Sequence, residues 1–359
     1  MTTMERSDRL SARLAERGLD ALLVTDLVNV RWLTGFTGSN GLAVVNSDPT
    51  HPQRVFLTDF RYLTQSGEQL DAGWRREIAP EILPAAATLV TGRVGFDDVH
   101  LSVKDFGGLS GRVAEGVELV AAGGAVEELR AVKDAGEQDK IRAAARLADA
   151  ALTEVLGRGL AGRTERDVAL DLEVTMRKAG AEGASFPPIV ASGEHSALPH
   201  AVPRDVEIAK GTLVTIDWGA QLDGYASDCT RTYATGELDP RDREIYEIVL
   251  KAQLESLAAV RAGAGGREVD AVARDIITAA GHGEHFGHGL GHGVGAEVHE
   301  GPRLSQRSES TLAAGQVVTV EPGVYVPGAI GVRIEDLAIV TEDGAEVLTG
   351  LSKDLQIIA

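Results

Sequence analysis

The spacing of apolar positions divides the first part of the chain into alternating helices and strands. Segments with apolar residues three or four positions apart alternate with short runs rich in valine and leucine. The pattern predicts helices over residues 4–18 and 80–90, and strands over residues 20–25, 41–47, 54–58, 92–98 and 117–124. Such alternation is typical of an α/β domain, in which helices flank a sheet.

The pattern changes near residue 125, within the segment AAGGAVEE. Long helical patterns follow, mixed with longer strands and hairpins; the helices are predicted over residues 137–156, 164–180, 240–263 and 267–281. We therefore predict two domains, an α/β domain over residues 1–125 and an α+β domain over residues 126–359.

One segment of the second domain, GHGLGHGVGAEVHE, concentrates histidine and glycine. Glycine occupies every odd position from Gly287 to Gly295. Because each glycine inside a helix costs about 1 kcal/mol relative to alanine, the alternation favours an extended segment over a helix. Four residues of strand span about 13 Å. His288 and His292 therefore cannot ligate the same ion. If one of them is a metal ligand, other parts of the chain must supply the remaining ligands of that ion.

The first candidates for these further ligands are two aspartates in the segment TLVTIDWGAQLDGYASDCTRTYATG. If QLDG is the loop of a hairpin, Ala220 pairs with Tyr225 and Asp217 lies opposite Asp228. Like charges at directly opposed positions are destabilising, and a cation between them would compensate. The alternative is two solvated aspartates on an edge hairpin.

Two glutamates in VVTVEPGVYVPGAIGVRIEDLAIV form a second pair. Glu321 ends one apolar strand and Glu335 interrupts another, with the turn residues PGAIG between them. A hairpin-like return would bring the two together. An unpaired carboxylate inside an apolar run is costly. A salt bridge from Arg333, or exposure of Glu335 to solvent, is the alternative explanation.

Two aspartates, two glutamates and one histidine are too many ligands for a single tetrahedral zinc ion. They suit two ions about 3.5–4 Å apart with bridging carboxylates, the arrangement found in aminopeptidases. Oxygen donors with one imidazole favour Mn²⁺, and Co²⁺ or Zn²⁺ are alternatives among which the sequence does not choose.

Composition narrows the classes of protein that remain. No stretch of the 359 residues approaches the 18 consecutive apolar residues of a membrane span, so none is predicted. The N-terminal segment lacks the apolar core of a signal peptide. Cys229 is the single cysteine, which excludes an intrachain disulfide and favours a cytoplasmic protein. A net charge of −19 disfavours nucleic-acid binding.

Several of these segments resemble a known family. IDWGAQLDGYASDCTRT, GHGLGHGVGAEVHEGP, VEPGVY and GVRIEDLAIV resemble the metal-site segments of the Xaa-Pro peptidases, prolidase and aminopeptidase P. FPPIVASGEHSALPH is similar to that family's substrate-binding segment, and NVRWLTGFTGSNG to its creatinase-like N-terminal domain. The resemblance covers nearly the whole chain. It implies a creatinase-like α/β domain followed by a pita-bread α+β metallopeptidase domain. RAVKDAGEQDKI departs from the family, which often has a proline there.

The resemblance also implies roles for individual residues. Its metal ligands are Asp217, Asp228, His292, Glu321 and Glu335. His200, His288 and His299 would surround the substrate, with Glu321 passing a proton from water to the leaving nitrogen. His200 and His299 would stabilise the oxyanion or hold the proline side. The remaining histidines are predicted to be structural or at the surface; they are His51, His100, His195, His282 and His285.

The implied activity is hydrolysis of the Xaa–Pro bond in short proline-containing peptides. A dipeptidase must hold a free carboxylate beyond the proline, which suits arginine. Arg303 is the first candidate for this contact and Arg333 the second, so the sequence favours a dipeptidase. Aminopeptidase P, acting on longer peptides, is the alternative. Methionine aminopeptidase, creatinase and a non-catalytic peptide-binding protein of the same fold are further alternatives. Family practice also implies a homodimer.

Overall fold

The computed structural model describes residues 1–48 and 54–359, so the predicted structural or surface role of His51 lies outside the described residues. The described chain forms two compact units, Met1–Arg130 and Ala131–Ala359. None of the helices in the described ranges combines the length and the apolar character that crossing a membrane requires.

The first unit alternates helices and strands around one six-stranded sheet. Its elements are α1 (Thr3–Glu16), β1 (Ala21–Val24), α2 (Leu27–Thr34), β2 (Leu42–Asn46), β3 (Arg54–Thr58), a 3-10 helix (Phe60–Tyr62), α3 (Leu63–Gln69), β4 (Trp74–Ile78), α4 (Ile82–Ala87), β5 (Arg93–Phe96), α5 (Val103–Ser110), β6 (Glu118–Ala121) and α6 (Glu127–Arg130). The strand order is β4-β3-β2-β1-β5-β6, with β1, β5 and β6 parallel to one another.

The end of the first unit lies a few residues beyond the limit at residue 125 that the sequence indicates. The Gly123–Gly124 pair follows β6, but the chain continues into α6. Val126 and Leu129 are buried in the apolar core of the first unit, together with the residues of α1 and α2. This burial assigns the short helix to the first unit rather than to a linker.

The second unit contains four long helices and thirteen strands among its described residues, all of which lie within 131–359. Its elements are α7 (Ala135–Leu156), α8 (Glu165–Lys178), β7 (Gly183–Ala184), β8 (Ile189–Ser192), a 3-10 helix (Gly193–Ala197), β9 (Leu213–Trp218), β10 (Ala220–Leu222), β11 (Tyr225–Ala226), β12 (Cys229–Ala234), α9 (Pro240–Ala259), α10 (Gly266–Ala279), a 3-10 helix (Gly283–His285), β13 (Gly291–Gly293), β14 (Glu300–Leu304), β15 (Val317–Val320), β16 (Gly323–Val326), β17 (Ile330–Arg333), β18 (Asp336–Val340) and β19 (Ala345–Val347).

Two helix pairs cover the strands of the second unit. The apolar faces of α7 and α8 pack on β8, β9 and β12, while α9 and α10 pack on β15, β16 and β17. Helix α7 begins where the family often has a proline. Here Asp134 caps the helix and exchanges hydrogen bonds with Glu137 in a capping box, which satisfies the free amides of the first turn.

The first acidic hairpin has a shorter turn than predicted. Leu222 pairs with Tyr225, so the turn consists of Asp223 and Gly224. Their φ angles are 49° and 79°. Positive φ at both central residues defines a type I′ turn, whose twist matches that of the strands and whose favoured sequences include Asp–Gly. The predicted four-residue loop with Ala220 opposite Tyr225 is therefore wrong.

The shorter turn changes the partner of Asp217. It lies opposite Thr230 in the ladder between β9 and β12, so the predicted pairing with Asp228 is also wrong. Alternate side chains of an extended chain share one face. Asp228 therefore lies diagonal to Asp217 on the same face, and a diagonal neighbour remains within reach of a shared ligand.

The second acidic hairpin has the predicted arrangement. Two ladders form this hairpin, one between β15 and β18 and one between β16 and β17. The pairing of residues continues in the same register from one ladder to the other. Glu321 and Glu335 lie between these ladders and fall opposite each other. The return through Pro327 and Gly328 thus brings the two glutamates together, as the sequence predicts.

Candidate active site

A cavity of about 540 Å³ in the second unit collects the predicted site residues. Its polar lining includes all ten of them: Asp217, Asp228, His292, Glu321, Glu335, His200, His288, His299, Arg303 and Arg333. Apolar side chains form the rest of the wall, chiefly Phe186, Pro187, Pro188 and Ile189. A concave apolar cavity with a few convergent polar groups is the usual form of a small-molecule site.

Three carboxylates lie together at one side of the cavity. Ligand oxygens of Asp217, Asp228 and Glu335 are all within 4.8 Å of one another. Strands β9 and β12 position the two aspartates, and the chain just before β18 positions Glu335. Only 2% of the Glu335 surface is exposed. Three carboxylates at this separation, two of them buried and one partly buried, repel one another strongly unless a cation lies among them.

His292 connects this group to Glu321. Its Nε2 lies 3.2 Å from Glu321 Oε1 and 3.7 Å from Asp228 Oδ2. The backbone amide of His292 donates to Thr319 Oγ1 at 3.0 Å, and the Thr319 hydroxyl donates to Glu321 Oε1 at 3.0 Å. Asp228 is therefore adjacent to both groups, a position suited to a ligand that bridges two ions.

The carboxylates carry an excess of negative charge that the protein does not compensate. Asp217 Oδ1 and Glu335 Oε1 are buried and have no hydrogen-bond partner within the described ranges. Burial and the neighbouring carboxylates raise the pKa of Asp228 and of Glu335 well above their ordinary values. Unpaired buried oxygens of this kind are rare in folded proteins. The donor set therefore fits divalent cations, which would use the free oxygens as ligands.

Arg333 does not pair with Glu335, so that alternative explanation for Glu335 is wrong. Its guanidinium donates instead to Asp217 Oδ2 at 2.7 Å, Tyr325 Oη at 2.8 Å and Thr230 Oγ1 at 3.0 Å. Arg333 is buried. Its donors are largely occupied by these acceptors, which orient Asp217 and leave the second oxygen of that carboxylate free.

The histidines predicted to surround the substrate have different partners. The Nε2 of His288 lies 3.0 Å from Tyr325 Oη, and its Nδ1 lies 2.7 Å from the Gly289 carbonyl oxygen. The ring of His299 packs edge-on against His292, with the ring centroids 4.4 Å apart. His200 is exposed and lines the same cavity. His288 and His292 thus have separate partners.

The strand predicted for the glycine-rich segment is short. It comprises only Gly291–Gly293, and the chain bends from Gly295 before it enters β14. An added Cβ would lie 2.0 Å from Thr319 O at Gly291 and 2.0 Å from Gly301 O at Gly293. These glycines permit close packing against neighbouring strands.

Sequence reasoning missed three residues that support the site. Thr230 donates to Glu335 Oε2 at 2.7 Å, Thr319 supports Glu321, and Tyr325 joins His288 to Arg333. All three lie inside the segments that contain the predicted metal ligands. A hydroxyl-bearing residue at the position facing a buried carboxylate is the signal that would have identified Thr230, once the correct register was known.

The chain matches known proteins over both units. Residues 139–342 match metallopeptidase family M24, and residues 6–132 match the creatinase/prolidase N-terminal domain. A relative from Pyrococcus furiosus, named Xaa-Pro dipeptidase, is 36% identical over 98% of this chain and 99% of its own length.

Two solved structures are similar over nearly the whole chain. The structure described as Xaa-Pro dipeptidase from Bacillus anthracis has a TM-score of 0.95 at 41% identity and covers 99% of this chain and all of its own. X-Pro aminopeptidase from Thermotoga maritima has a TM-score of 0.88 at 36% identity, covering 96% of this chain and 99% of its own.

The fold and the carboxylate–histidine site define a metallopeptidase with a creatinase-like N-terminal domain and a pita-bread catalytic domain. The chain belongs to metallopeptidase family M24. The predicted fold class and the predicted metallo-exopeptidase class are confirmed.

Proposed function

We propose that the protein hydrolyses the Xaa–Pro bond of dipeptides, with two divalent ions as cofactor and manganese as the physiological metal. One observation carries the proposal: five residues with ligand atoms meet in one cavity, where two buried carboxylate oxygens have no protein partner within the described ranges. The names of the Pyrococcus furiosus relative and of the Bacillus anthracis structure support the same activity.

The proposed metal ligands are Asp217, Asp228, His292, Glu321 and Glu335. When bound, a pair of divalent ions supplies a water nucleophile near neutral pH and polarises the scissile carbonyl. The protein supplies the rest. Glu321 accepts a proton from the water and delivers it to the nitrogen of the leaving proline.

The three other histidines face the substrate in this proposal. His299, beside His292, stabilises the developing oxyanion. His288, held by the Tyr325 hydroxyl, contacts the proline side. His200 lines the cavity and holds the substrate there or protonates the proline side.

Arg303 is the proposed partner of the substrate carboxylate. It lies opposite His292 in the ladder between β13 and β14, lines the cavity and is exposed. Its guanidinium has no ion-pair partner within the described part of the chain, whereas that of Arg333 is buried and occupied. This contrast favours Arg303 over Arg333 as the residue that recognises a dipeptide.

The experiment combines metal analysis with a comparison of substrates. Protein purified without chelator should contain two equivalents of a transition metal, and none would favour creatinase-like or peptide-binding roles. The protein should hydrolyse Xaa-Pro faster than Xaa-Pro-Yaa-Zaa. Arg303→Ala should lower kcat/KM on the dipeptide about 10- to 100-fold, since a hydrogen bond to a charged group is lost. Arg307→Ala, at a nearby exposed arginine, is the matched control.

A second candidate is an aminopeptidase P acting on longer peptides. A neighbouring cavity of about 1020 Å³ shares His288, Gly289 and Ser305 with the site cavity, which offers room beyond the proline. The Thermotoga maritima structure, described as an X-Pro aminopeptidase, is consistent with this candidate. A faster reaction on the longer peptide, unchanged by Arg303→Ala, would establish it.

We also propose a homodimer in the cytoplasm. Family practice supports the dimer, because a partner's N-terminal domain commonly completes the substrate pocket. The single cysteine supports the location. Sedimentation at micromolar concentration tests the dimer, and a fully active monomer would contradict it.

A further inference from the structure

Glu165, the first residue of α8, is a completely buried carboxylate outside the proposed chemistry. Its Oε1 accepts hydrogen bonds from the Ser192 amide and hydroxyl, both at 2.8 Å, and from Arg204 Nη2 at 3.3 Å. Its Oε2 lies 2.9 Å from His195 Nδ1 and accepts from the Arg204 amide at 3.0 Å and Nε at 3.2 Å. Each oxygen therefore contacts both Arg204 and the segment that contains Ser192 and His195.

These donors lie at the two ends of one segment of the cavity wall. Ser192 and His195 precede residues 198–203, and Arg204 follows them. The intervening segment has neither helix nor strand, and it contributes five consecutive residues to the cavity: Pro199, His200, Ala201, Val202 and Pro203. Glu165 thus clamps both ends of the segment that carries His200.

The clamp is strong because it joins a buried charge to several donors. Burial raises the pKa of Glu165, but the hydrogen bonds from Arg204 and Ser192 outweigh burial and lower that pKa below its ordinary value. Charge-assisted hydrogen bonds of this kind are about twice as strong as neutral ones. Among the described residues, residues 198–203 have three further hydrogen bonds. The Leu198 amide donates to His195 O, the Ala201 amide donates to Leu198 O, and Arg333 Nη1 donates to Pro199 O at 3.3 Å.

We propose that Glu165 is a positioning residue that holds residues 198–203, and with them His200, in the geometry that the substrate requires. The inference rests on the proposed function, in which His200 contacts the substrate. It also gives the histidine at position 195 a specific part: His195 is one of the donors by which the clamp holds its first end.

A double-mutant cycle tests this inference. Glu165→Gln replaces one acceptor oxygen by an amide group that faces existing donors, and should lower kcat/KM on an Xaa-Pro dipeptide about 10- to 100-fold, as loss of supporting contacts does in other sites. If Glu165 acts through His200, the same substitution in a His200→Ala background should cost less than about 3-fold, because the two residues are coupled. An equal loss in both backgrounds would overturn the inference.

Asp171→Asn is the matched control. Asp171 lies on the same helix and accepts from Arg163 at 2.8 Å and also from Arg158, but it does not line the cavity. Asp171→Asn should leave kcat/KM within about 2-fold of the wild-type value, as expected for a substitution at a distant, independent site.

Hydrogen exchange provides a readout that does not depend on activity. Amides of residues 198–204 should exchange faster in Glu165→Gln than in wild type or Asp171→Asn, and unchanged exchange would contradict the inference. If wild type fails to hydrolyse Xaa-Pro, the proposed function fails, while this measurement still tests the clamp. If Glu165→Gln does not fold, Arg204→Ala serves instead. It removes the side-chain hydrogen bonds from Arg204 to Glu165 but keeps the backbone one, so it should have the same effects on kcat/KM and on exchange, but smaller ones.

Discussion

Two neighbouring residues, Glu335 and Asp336, lie in opposite electrostatic environments. Both are buried, and successive side chains of an extended chain point to opposite faces. Glu335 belongs to the acidic cluster, which we define as Asp217, Asp228, Glu321 and Glu335. Asp336 belongs to the paired cluster, which we define as Arg231, Asp336 and Lys353.

The paired cluster satisfies its buried charges. Asp336 Oδ1 accepts from Arg231 Nη2 at 2.8 Å and from the Thr349 hydroxyl at 2.7 Å, while Oδ2 accepts from Gln253 Nε2 at 2.9 Å and from the Lys353 ammonium. Burial raises the pKa of Asp336, but Arg231 and Lys353 outweigh burial, so the pKa lies below its ordinary value.

The difference separates a structural charge from a functional one. Glu335 and Asp336 are both buried carboxylates, and the balance of donors and neighbouring charges distinguishes them. A buried carboxylate with a full set of donors needs no further ligand, whereas carboxylates that share too few donors indicate a missing cation. The predictions below test whether this distinction holds.

Removing a proposed metal ligand should have the largest effect on activity. Asp228→Asn and His292→Ala should each abolish hydrolysis of Xaa-Pro, because each removes a ligand from a shared centre. The fold should survive, because the apolar core lies elsewhere, and circular dichroism checks this. Asp223→Asn, at the exposed turn of the same hairpin, is the control. Near wild-type activity of either ligand variant would remove the site assignment.

Breaking the paired cluster should instead act on stability. Asp336→Asn leaves Arg231 buried without its counter-charge and should lower the free energy of unfolding by about 3–5 kcal/mol. Metal content should stay at the wild-type level. Urea unfolding of the metal-free protein compares Asp336→Asn directly with Asp228→Asn. In the metal-free protein, Asp228→Asn relieves repulsion between carboxylates and should not lower the free energy of unfolding. Equal destabilisation by the two substitutions would show that the clusters do not differ in kind.

An intermediate effect is expected where one hydroxyl supports the acidic cluster. Thr230 donates to Glu335 and accepts from Arg333, so Thr230→Val removes both contacts at nearly constant volume. Metal affinity or activity should fall about 10- to 100-fold. Thr232→Val is the control, because the Thr232 hydroxyl is buried on the same strand but bonds to Thr215 and the Arg333 carbonyl. Similar losses of metal affinity in both variants would contradict the prediction.

Much of the fold follows from local sequence. Apolar runs predict β1, β2, β3 and β5, which are mostly buried in the sheet, and also β6, which lies at one edge. The sequence pattern does not predict β4, WRREI, because this strand lies at the other edge and its three central residues are charged. Helix α2 was also missed, although Asp26 caps its start and Gly35, at φ 79°, follows its end. Both are recognised signals of helix boundaries.

The residues that line the candidate site could be selected from the sequence, but their contacts could not. Carboxylates inside apolar strands stand out in the sequence, and the family resemblance assigns their roles. The partner of Asp217 depends on a turn that is one pairing shorter than predicted. The clamp at Glu165 joins residues 27 to 39 positions apart, and locally the segment TERDV shows only a helix start capped by Thr164. The Asp223–Gly224 dipeptide is a local signal for the shorter turn, whereas the clamp has no local signal.

The smallest effect is expected at Asp149, a buried carboxylate near the paired cluster. Its Oδ2 accepts from the Gly350 amide at 2.6 Å, whereas its Oδ1 has no partner within the described ranges. Burial raises the pKa of Asp149 from 3.8 to about 6. An unpaired oxygen alone is thus not a metal site: among the described residues, Asp149 belongs to no group of three side chains that could hold an ion.

The raised pKa fixes the sign of a pH effect on stability. The folded state binds the proton more tightly than the unfolded state, so the stabilisation is complete below the unfolded pKa and is lost as pH rises from about 4 through about 6. The difference amounts to at most about 3 kcal/mol. Asp149→Asn keeps an acceptor for the Gly350 amide without the charge. It should therefore unfold at higher urea than wild type at pH 7.5, with a smaller difference at pH 4.5.

Asp139→Asn, at an exposed position of the same helix, reports what removal of a carboxyl does without burial. The test at Asp149 sharpens the comparison of the two clusters because it isolates burial from ligand chemistry. If Asp149→Asn shows the same stability difference at both pH values, folding does not raise the pKa of Asp149. Burial alone would then not make an unpaired carboxylate costly, in the acidic cluster as well as at Asp149.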